Sequence, residues 1–422
     1  MLSLLLLGTV QALLFPEQLH LSWTENPQEM RVTWLSPLSV YPQVSYRIQG
    51  DEKWIVIDAE SERKNFGVNL PRYSYVNTGV MGGLNSDKKY EYKVSNGILP
   101  SDVFSFQGRT PGTSDNSEYS VVIYGDLGIS DQSYEILDGI TKELNRNPPL
   151  FIVHLGDLGY NLDQYDGYIG DWFGNMIEDV AGTYAYMTVA GNHERNWNFT
   201  HYSNRYIMPK NDASKDTSLF YSLDVGFVHH IFINTNVFKY GEAAEIETHL
   251  NWLKDDLEKA NENRNNTPWI VGYSHHPLYC AYNESDSQSL WDCRKQSNLM
   301  RDYLEELYYK NKVDMIVTGH VHNYQRNSPI YNDSVVNSDY DDQNMHVNAK
   351  APVYIISGNG GNDKGGRDIV VETDVEWSRA QSYEFGFGRL SGLNKTHLLW
   401  QQYSSEREDT VIDYVYLIKS NS

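Results

Sequence analysis

Five apolar runs in this chain end in residues that can donate oxygen or nitrogen to a metal ion. YSVVIY ends in Gly125-Asp126, PLFIVHL in Gly156-Asp157-Leu158-Gly159-Tyr160, and YAYMTVA in Gly191-Asn192-His193-Glu194. PWIVGYS ends in His275-His276, and VDMIVT in Gly319-His320-Val321-His322. A single Gly-Asp after a strand is usually a turn; five such ends in one chain are not. The candidate donors are Asp126, Asp157, Tyr160, Asn192, His275, His320 and His322, with no sulfur among them. Seven ligands are too many for one tetrahedral zinc and the wrong kind for a cysteine-rich structural site. They suit two ions of intermediate to hard character sharing a carboxylate. Two metals roughly 3.5–4 Å apart clamp both ends of an in-line displacement at phosphorus and lower the pKa of bound water. The donor set therefore points to phosphoester hydrolysis. Outside it, His193 is the candidate catalytic group: a cationic imidazole there would hold phosphate and protonate a leaving alkoxide, worth about 10²–10⁴-fold. Glu194 either orients His193 or is a surface carboxylate.

Such donors work together only if the strand ends gather on one edge of a sheet, as they do at the carboxyl edge of an open α/β sheet. Longer amphipathic stretches lie between several of the runs, at 134–145, 246–260 and 294–310, and the last third adds APVYIIS, THLLWQQYS and TVIDYVYLI. Strands alternating with helices predict an α/β domain over 119–422. Before it, residues 16–109 alternate with period two. MRVTWLS sets Met30, Val32 and Trp34 on one face, and KYEYKVS does the same for Tyr90, Tyr92 and Val94. This predicts an all-β sandwich, and it contains no titratable cluster of catalytic type. TPGTSDNSE, residues 110–118, reads as the linker.

With 422 residues, 40% of them apolar and 13% aromatic, the chain can bury a core in each of two domains. Its formal charge of −22 repels nucleic-acid phosphates. A small phosphorylated substrate remains compatible, because a local cationic site outweighs a distant acidic field. MLSLLLLGTVQALLF is apolar but too short to span a bilayer, and Val10-Gln11-Ala12 supplies small residues for cleavage, so residues 1–12 read as a signal peptide. No later stretch is long and apolar enough for a membrane span. Sequons for N-glycans occur at Asn198, Asn265, Asn283, Asn332 and Asn394. The only cysteines, Cys280 and Cys293, would in an oxidising compartment close a 14-residue loop, worth roughly 3 kcal/mol; the alternative is two buried thiols. These features point to a secreted protein, extracellular or elsewhere in the secretory pathway such as the lysosome. With the cysteines paired to each other, any homodimer would be non-covalent.

In order, GDLG, GDLGY, GNHE, a strand-terminal His and GHVH resemble the motif set of the purple acid phosphatases, within the calcineurin-like metallophosphoesterases. The resemblance runs from Ser120 to about Arg326, and PVYIISGNGG and NKTHLLWQ extend it towards the C-terminus. The preceding sandwich is similar to the fibronectin-III-like N-terminal domain of the longer members. Related phosphatases and nucleases carry Asp-x-His in the first motif and an Arg in the second; here Leu127-Gly128 follows Asp126, and Tyr160 follows Asp157 by three residues. The resemblance implies an α/β metallophosphoesterase sandwich of βαβ units and mixed sheets. It implies Fe(III) on Asp126, Tyr160 and His322, with tyrosinate-to-iron charge transfer giving a purple colour. A divalent ion (Fe, Zn or Mn) would sit on Asn192, His275 and His320, with Asp157 bridging. The expected activity is hydrolysis of phosphate monoesters at acidic pH. A phosphodiesterase or nucleotide pyrophosphatase on the same centre, or a non-catalytic binding protein, are the alternatives.

Some positions depart from the family pattern. Gly272 stands where Val is usual, which leaves His276 as a rival to His275. The stretch 278–294 has no His and carries the cysteine pair, as in the animal long form, with His276 as an exposed neighbour. The remaining histidines read as structural: His154 inside a strand, His229 and His230 as one inward and one outward residue, and His201 in a loop lining the mouth. The aromatic run from Tyr165 to Met176 reads as helix packing rather than a substrate platform.

Overall fold

The computed structural model describes residues 15–109, 118–214, 218–281, 293–362, 375–407 and 410–420. The leader, the linker up to residue 117 and Asn283 lie outside them. Two compact units emerge: 15–110 with 161–187 and 196–209, and 111–160 with 188–195 and 210–422. The sequence places a single division at 110–118. The structure instead returns two later segments to the N-terminal unit, because the chain after residue 160 supplies a helix and a parallel strand to it.

The first unit is built on eight strands: β1 (Glu17–Trp23), β2 (Met30–Ser36), β3 (Gln43–Ile48), β4 (Ile55–Asp58), β5 (Glu60–Asn65), β6 (Tyr73–Met81), β7 (Lys89–Ser95) and β8 (Phe104–Gln107). β1-β2-β6-β5 form one sheet segment and β4-β3-β7-β8 the other. Tyr90, Tyr92 and Val94 are buried in alternation along β7, as period two requires. Next in the chain come β9 (Tyr119–Tyr124), β10 (Phe151–His154) and β11 (Ala185–Thr188). β11 pairs in parallel with β1 through Leu21 and Ala185. The helix Tyr168–Ala181 packs on β1. Its aromatic run is only partly packing: Phe173 is buried, whereas Tyr165, Tyr168 and Trp172 are exposed. His201 is also not a loop residue; it sits in the helix Thr200–Arg205, buried against Phe66.

The second unit carries the strands β12 (Tyr221–Val225), β13 (Val228–Ile233), β14 (Trp269–Ser274), β15 (Met315–Thr318), β16 (Tyr324–Tyr331), β17 (Ser334–Val335), β18 (Tyr340–Asp341), β19 (Met345–Val347), β20 (Val353–Ser357), β21 (Ser378–Ser382), β22 (Gly386–Asn394), β23 (His397–Ser404) and β24 (Thr410–Ile418). Its strand orders are β12-β13-β14-β15-β20-β16-β17, with β21 on β16, and β18-β19-β24-β23-β22-β9-β10. β13, β14, β15 and β20 are mutually parallel, as are β9 and β10, while β22 to β24 are antiparallel, so both sheets are mixed. β10, β14 and β15 are buried on both faces, which explains their unbroken apolar runs.

Helices cover the sheets through i, i+4 apolar rows. Leu253 and Leu257 come from the helix Ala243–Glu262, and Met300, Leu304 and Tyr308 from the helix Cys293–Lys310. They meet Ile231, Ile270 and Ile316 in one core, where truncating a Leu to Ala costs about 2–5 kcal/mol. The helix Asp131–Arg146 starts at Ser130, whose hydroxyl caps Ser133 in a reciprocal capping box. Cys280 and Cys293 form a disulfide that ties the loop after β14 to the first residue of the helix Cys293–Lys310.

Candidate metal centre

Each donor lies beyond the C-terminal end of a strand, and four of the seven reach the site through a sharp backbone reversal. Asp126, Asp157, Tyr160 and His320 have φ of +64°, +57°, +47° and +71°, in the left-handed region that non-glycine residues rarely occupy. Such strain costs of order 1–3 kcal/mol per residue and persists where the surroundings enforce it. Two glycines of the motifs make the crowding possible. A Cβ on Gly191 would lie 2.2 Å from Asp157 Oδ1, and one on Gly319 would lie 2.6 Å from Asp126 Oδ2.

The donors fall into two groups. In one, the Tyr160 phenol donates to Asp126 Oδ1 at 3.0 Å and lies 3.0 Å from His322 Nε2, which is 3.5 Å from Asp126. In the other, His275 Nε2 is 3.0 Å from Asn192 Oδ1, 3.3 Å from Asp157 Oδ2 and 3.1 Å from His320 Nδ1. His275 Nδ1 faces the Leu155 carbonyl at 2.7 Å, which places an Nδ1 proton there and turns Nε2 towards the other donors. Asp157, His275 and His320 offer ligand atoms within 4.8 Å of one another. An amide oxygen, a carboxylate and two imidazole nitrogens thus converge, and positive charge, from a metal ion or a proton on Nε2, is what this arrangement fits.

The electrostatics make the same demand for positive charge. Burial opposes charge on His275, yet the adjacent Asp157 outweighs it and raises its pKa to about 9, so without a metal ion a proton on Nε2 takes the place a cation would fill. Burial likewise acts against the Asp157 carboxylate, but His275 and His193 hold it ionised far below the usual range. Burial, with Asp126 and Asp157 nearby, pushes the Tyr160 phenol well up, so a tyrosinate here requires a cation in contact.

His275, not His276, faces the donors. His276 is fully buried rather than exposed, its Nδ1 3.0 Å or less from Thr235 Oγ1 and its ionisation suppressed by burial and by His275. Gly272 on β14 makes room for Ile316, whose Cδ1 a Cβ would meet at 2.6 Å, without turning the strand end. The turn at His320 separates the two imidazoles of GHVH, sending one to each group.

Three domain models match the chain: the purple acid phosphatase N-terminal domain over 16–108, calcineurin-like phosphoesterase over 119–324, and the iron/zinc purple acid phosphatase-like C-terminal protein over 351–414. Human acid phosphatase type 7 is 31% identical, across 96% of this chain and 91% of the relative. The chain belongs to the purple acid phosphatases. The zebrafish acid phosphatase type 7 is equally similar at 31% with the same coverage, and the probable purple acid phosphatase 20 of Arabidopsis thaliana is 29% identical across 94% of this chain and 86% of its own length. A purple acid phosphatase structure from yellow lupin superposes with a TM-score of 0.81 at 22% identity, covering 96% of this chain and 74% of that one. Its likeness shows the fold: a metallophosphoesterase domain of mixed sheets preceded by an all-β domain.

In this purple acid phosphatase, Glu194 takes a position the sequence does not anticipate. It is not a surface carboxylate. It is buried, and its oxygens accept the backbone N–H groups of Asp157, Leu158 and Gly191 at 2.7–2.9 Å. Burial and the neighbouring Asp157 raise its pKa to about 8. Glu194 therefore fastens the Asp157 turn to the Asn192 turn and acts as a positioning residue. His193 is one-quarter exposed, with Nε2 3.8 Å from Asp157 Oδ2 and its ring edge-on to Tyr160 at 4.6 Å between centroids. Two neighbours escaped the sequence reading. Gln296 Oε1 lies 3.0 Å from His320 Nε2, from a helix face that carries no motif. Asn362 bonds His322 from the segment after β20, a sixth strand end signalled by GNGGN.

Proposed function

We propose that the protein is a secreted, glycosylated acid phosphatase hydrolysing phosphate monoesters. In this reading Asp126, Tyr160 and His322 hold Fe(III), Asn192, His275 and His320 hold a divalent iron, zinc or manganese, and Asp157 is shared. The observation that carries it is the convergence of Asn192, Asp157 and His320 on Nε2 of His275. A neutral amide oxygen in that set leaves the second ion more positive towards a substrate phosphate.

A dinuclear centre supplies Lewis acidity and an activated water for in-line attack at phosphorus. The chain does the rest. The Leu155 carbonyl and Gln296 orient the two imidazoles of the second group from behind. His193, partly exposed beside Asp157, holds a phosphate oxygen and delivers a proton to the departing alkoxide.

Secretion is supported by the Cys280–Cys293 disulfide and by the exposed sequon residues Asn198, Asn265 and Asn332. Among the described residues no helix is long and apolar enough to cross a membrane. Metal analysis with visible absorption, before and after mild reduction, tests the centre. A broad purple band that bleaches supports ferric tyrosinate, and a colourless, metal-free, inactive protein ends the proposal. Comparing a monoester with a diester tests the substrate class, and faster diester turnover would replace phosphatase by phosphodiesterase.

A further inference from the structure

Acidic side chains outnumber Lys and Arg by 56 to 34, so a local pair of cations stands against the surrounding field. Such a pair lies beside the centre. Arg195 follows Glu194 directly, its backbone N–H closing the turn on the Asn192 carbonyl at 3.4 Å. Its guanidinium lies over the Tyr240 ring, 4.1 Å from the centroid. Lys239 lies 5.1 Å from the same ring and donates to Gln296 Oε1 at 3.1 Å, one amide away from His320. Neither has a carboxylate partner among the described residues. The short helix Asn236–Tyr240 that carries Lys239 and Tyr240 is fixed to the donor turn, because Asn236 Nδ2 donates to the carbonyls of Ala190 and Gly191, each at 3.0 Å. Tyr240 is 44% exposed, so the pair is open to a ligand.

We infer that Arg195 and Lys239, spaced by Tyr240, form a second anion subsite that receives the leaving group. The substrates it selects are phosphoesters whose leaving group carries its own phosphate or carboxylate. The inference rests on the phosphatase reading. In the reaction the oxygen of water bonds to the terminal phosphorus and the ester P–O bond breaks. The leaving group departs with that electron pair and takes up one proton, while the proton lost by water passes to solvent. The two cations hold the charge that remains on the leaving group.

Three probes separate the possibilities: p-nitrophenyl phosphate with an uncharged leaving group, inorganic pyrophosphate with a phosphate, and phosphoglycolate with a carboxylate. For the metal-replete protein, KM for at least one anionic probe is expected about 10-fold below that for p-nitrophenyl phosphate, the scale of one or two charge-assisted hydrogen bonds. Arg195→Gln, Lys239→Gln and the double variant should erase that ratio stepwise, and added salt should weaken it. Arg195→Gln is the more telling variant, since its side chain touches no donor. A preference for pyrophosphate alone assigns the subsite to phosphate; a preference for both assigns it to anionic groups generally. Equal ratios in wild type and variants overturn the inference while leaving the phosphatase intact. A protein that turns over none of the three overturns the phosphatase reading and this inference with it.

Discussion

The two halves of the donor cluster differ in what can hold them together. Asp126, Tyr160 and His322 include a phenol, so a single proton satisfies them: Tyr160 donates to Asp126 and His322 packs alongside at hydrogen-bond distance. Asn192, Asp157, His275 and His320 include no phenol: the Nδ1 proton of His275 is spent on Leu155, and the Asp157 carboxylate draws a further proton to its ring. The first half is closed by a neutral hydrogen bond, and the second by positive charge. In the proposed reading Tyr160 therefore brings its own substitute for a metal, whereas the second half needs a cation for cohesion.

Breaking the residue common to both halves should have the largest effect. Asp157→Asn is expected to leave no measurable turnover and to lower the content of both metals; full metal loading would mean the carboxylate is not shared. His193→Ala tests the seam between the halves. Its kcat should fall about 10²–10⁴-fold, and a change in KM alone would remove its role as proton donor. Tyr160→Phe removes the proton that closes the first half. The visible band should vanish and turnover drop by about 10–100-fold, with the divalent ion retained. Gln296→Leu weakens only the second half. Divalent-metal affinity should fall about 10-fold with the visible band unchanged, and equal loss of both metals would show the halves are not independent.

The smallest effect is a control far from both. The alternation expects one of His229 and His230 to face outward, but both are buried. His229 lies between Asp224 and Asp256 at 2.7 and 2.9 Å, and although burial opposes its charge the two carboxylates raise its pKa to about 9. Because the folded pKa exceeds the unfolded value near 6.5, the stabilisation is complete below about pH 6.5 and is lost as pH rises through 9. His229→Gln should cost about 2–3 kcal/mol in urea unfolding at pH 6 and far less at pH 9.5, with turnover per folded molecule unchanged.

The donors were legible because strand ends advertise themselves: an unbroken apolar run followed by Gly and a polar residue is a local pattern, and five repeats of it specify a shared edge. The alternation of β7 and the i, i+4 rows of the long helices were equally local. What escaped depends on contacts distant in sequence. Nothing near Glu194 says that its carboxylate will cap amides 36 and 37 residues earlier, and nothing near Gln296 says which face of its helix meets His320. His201 and His229 were misplaced for the same reason, since their partners Phe66 and Asp256 stand well away in the chain. The return of 161–187 and 196–209 to the first unit is likewise invisible locally, because strand β11 has the same apolar run whichever neighbour it pairs with.

The left-handed backbone at Asp126, Asp157, Tyr160 and His320 gives this centre a preferred route of decay. Glycine adopts that conformation freely and asparagine tolerates it, so once selection on catalysis lapses, replacement there relieves strain instead of adding it. Tyr160 bears the largest penalty, because aspartate and histidine tolerate the left-handed region better than a bulky aromatic does. Gene copies that have lost activity should therefore erode first at Tyr160, while the fold around the emptied turn grows more stable.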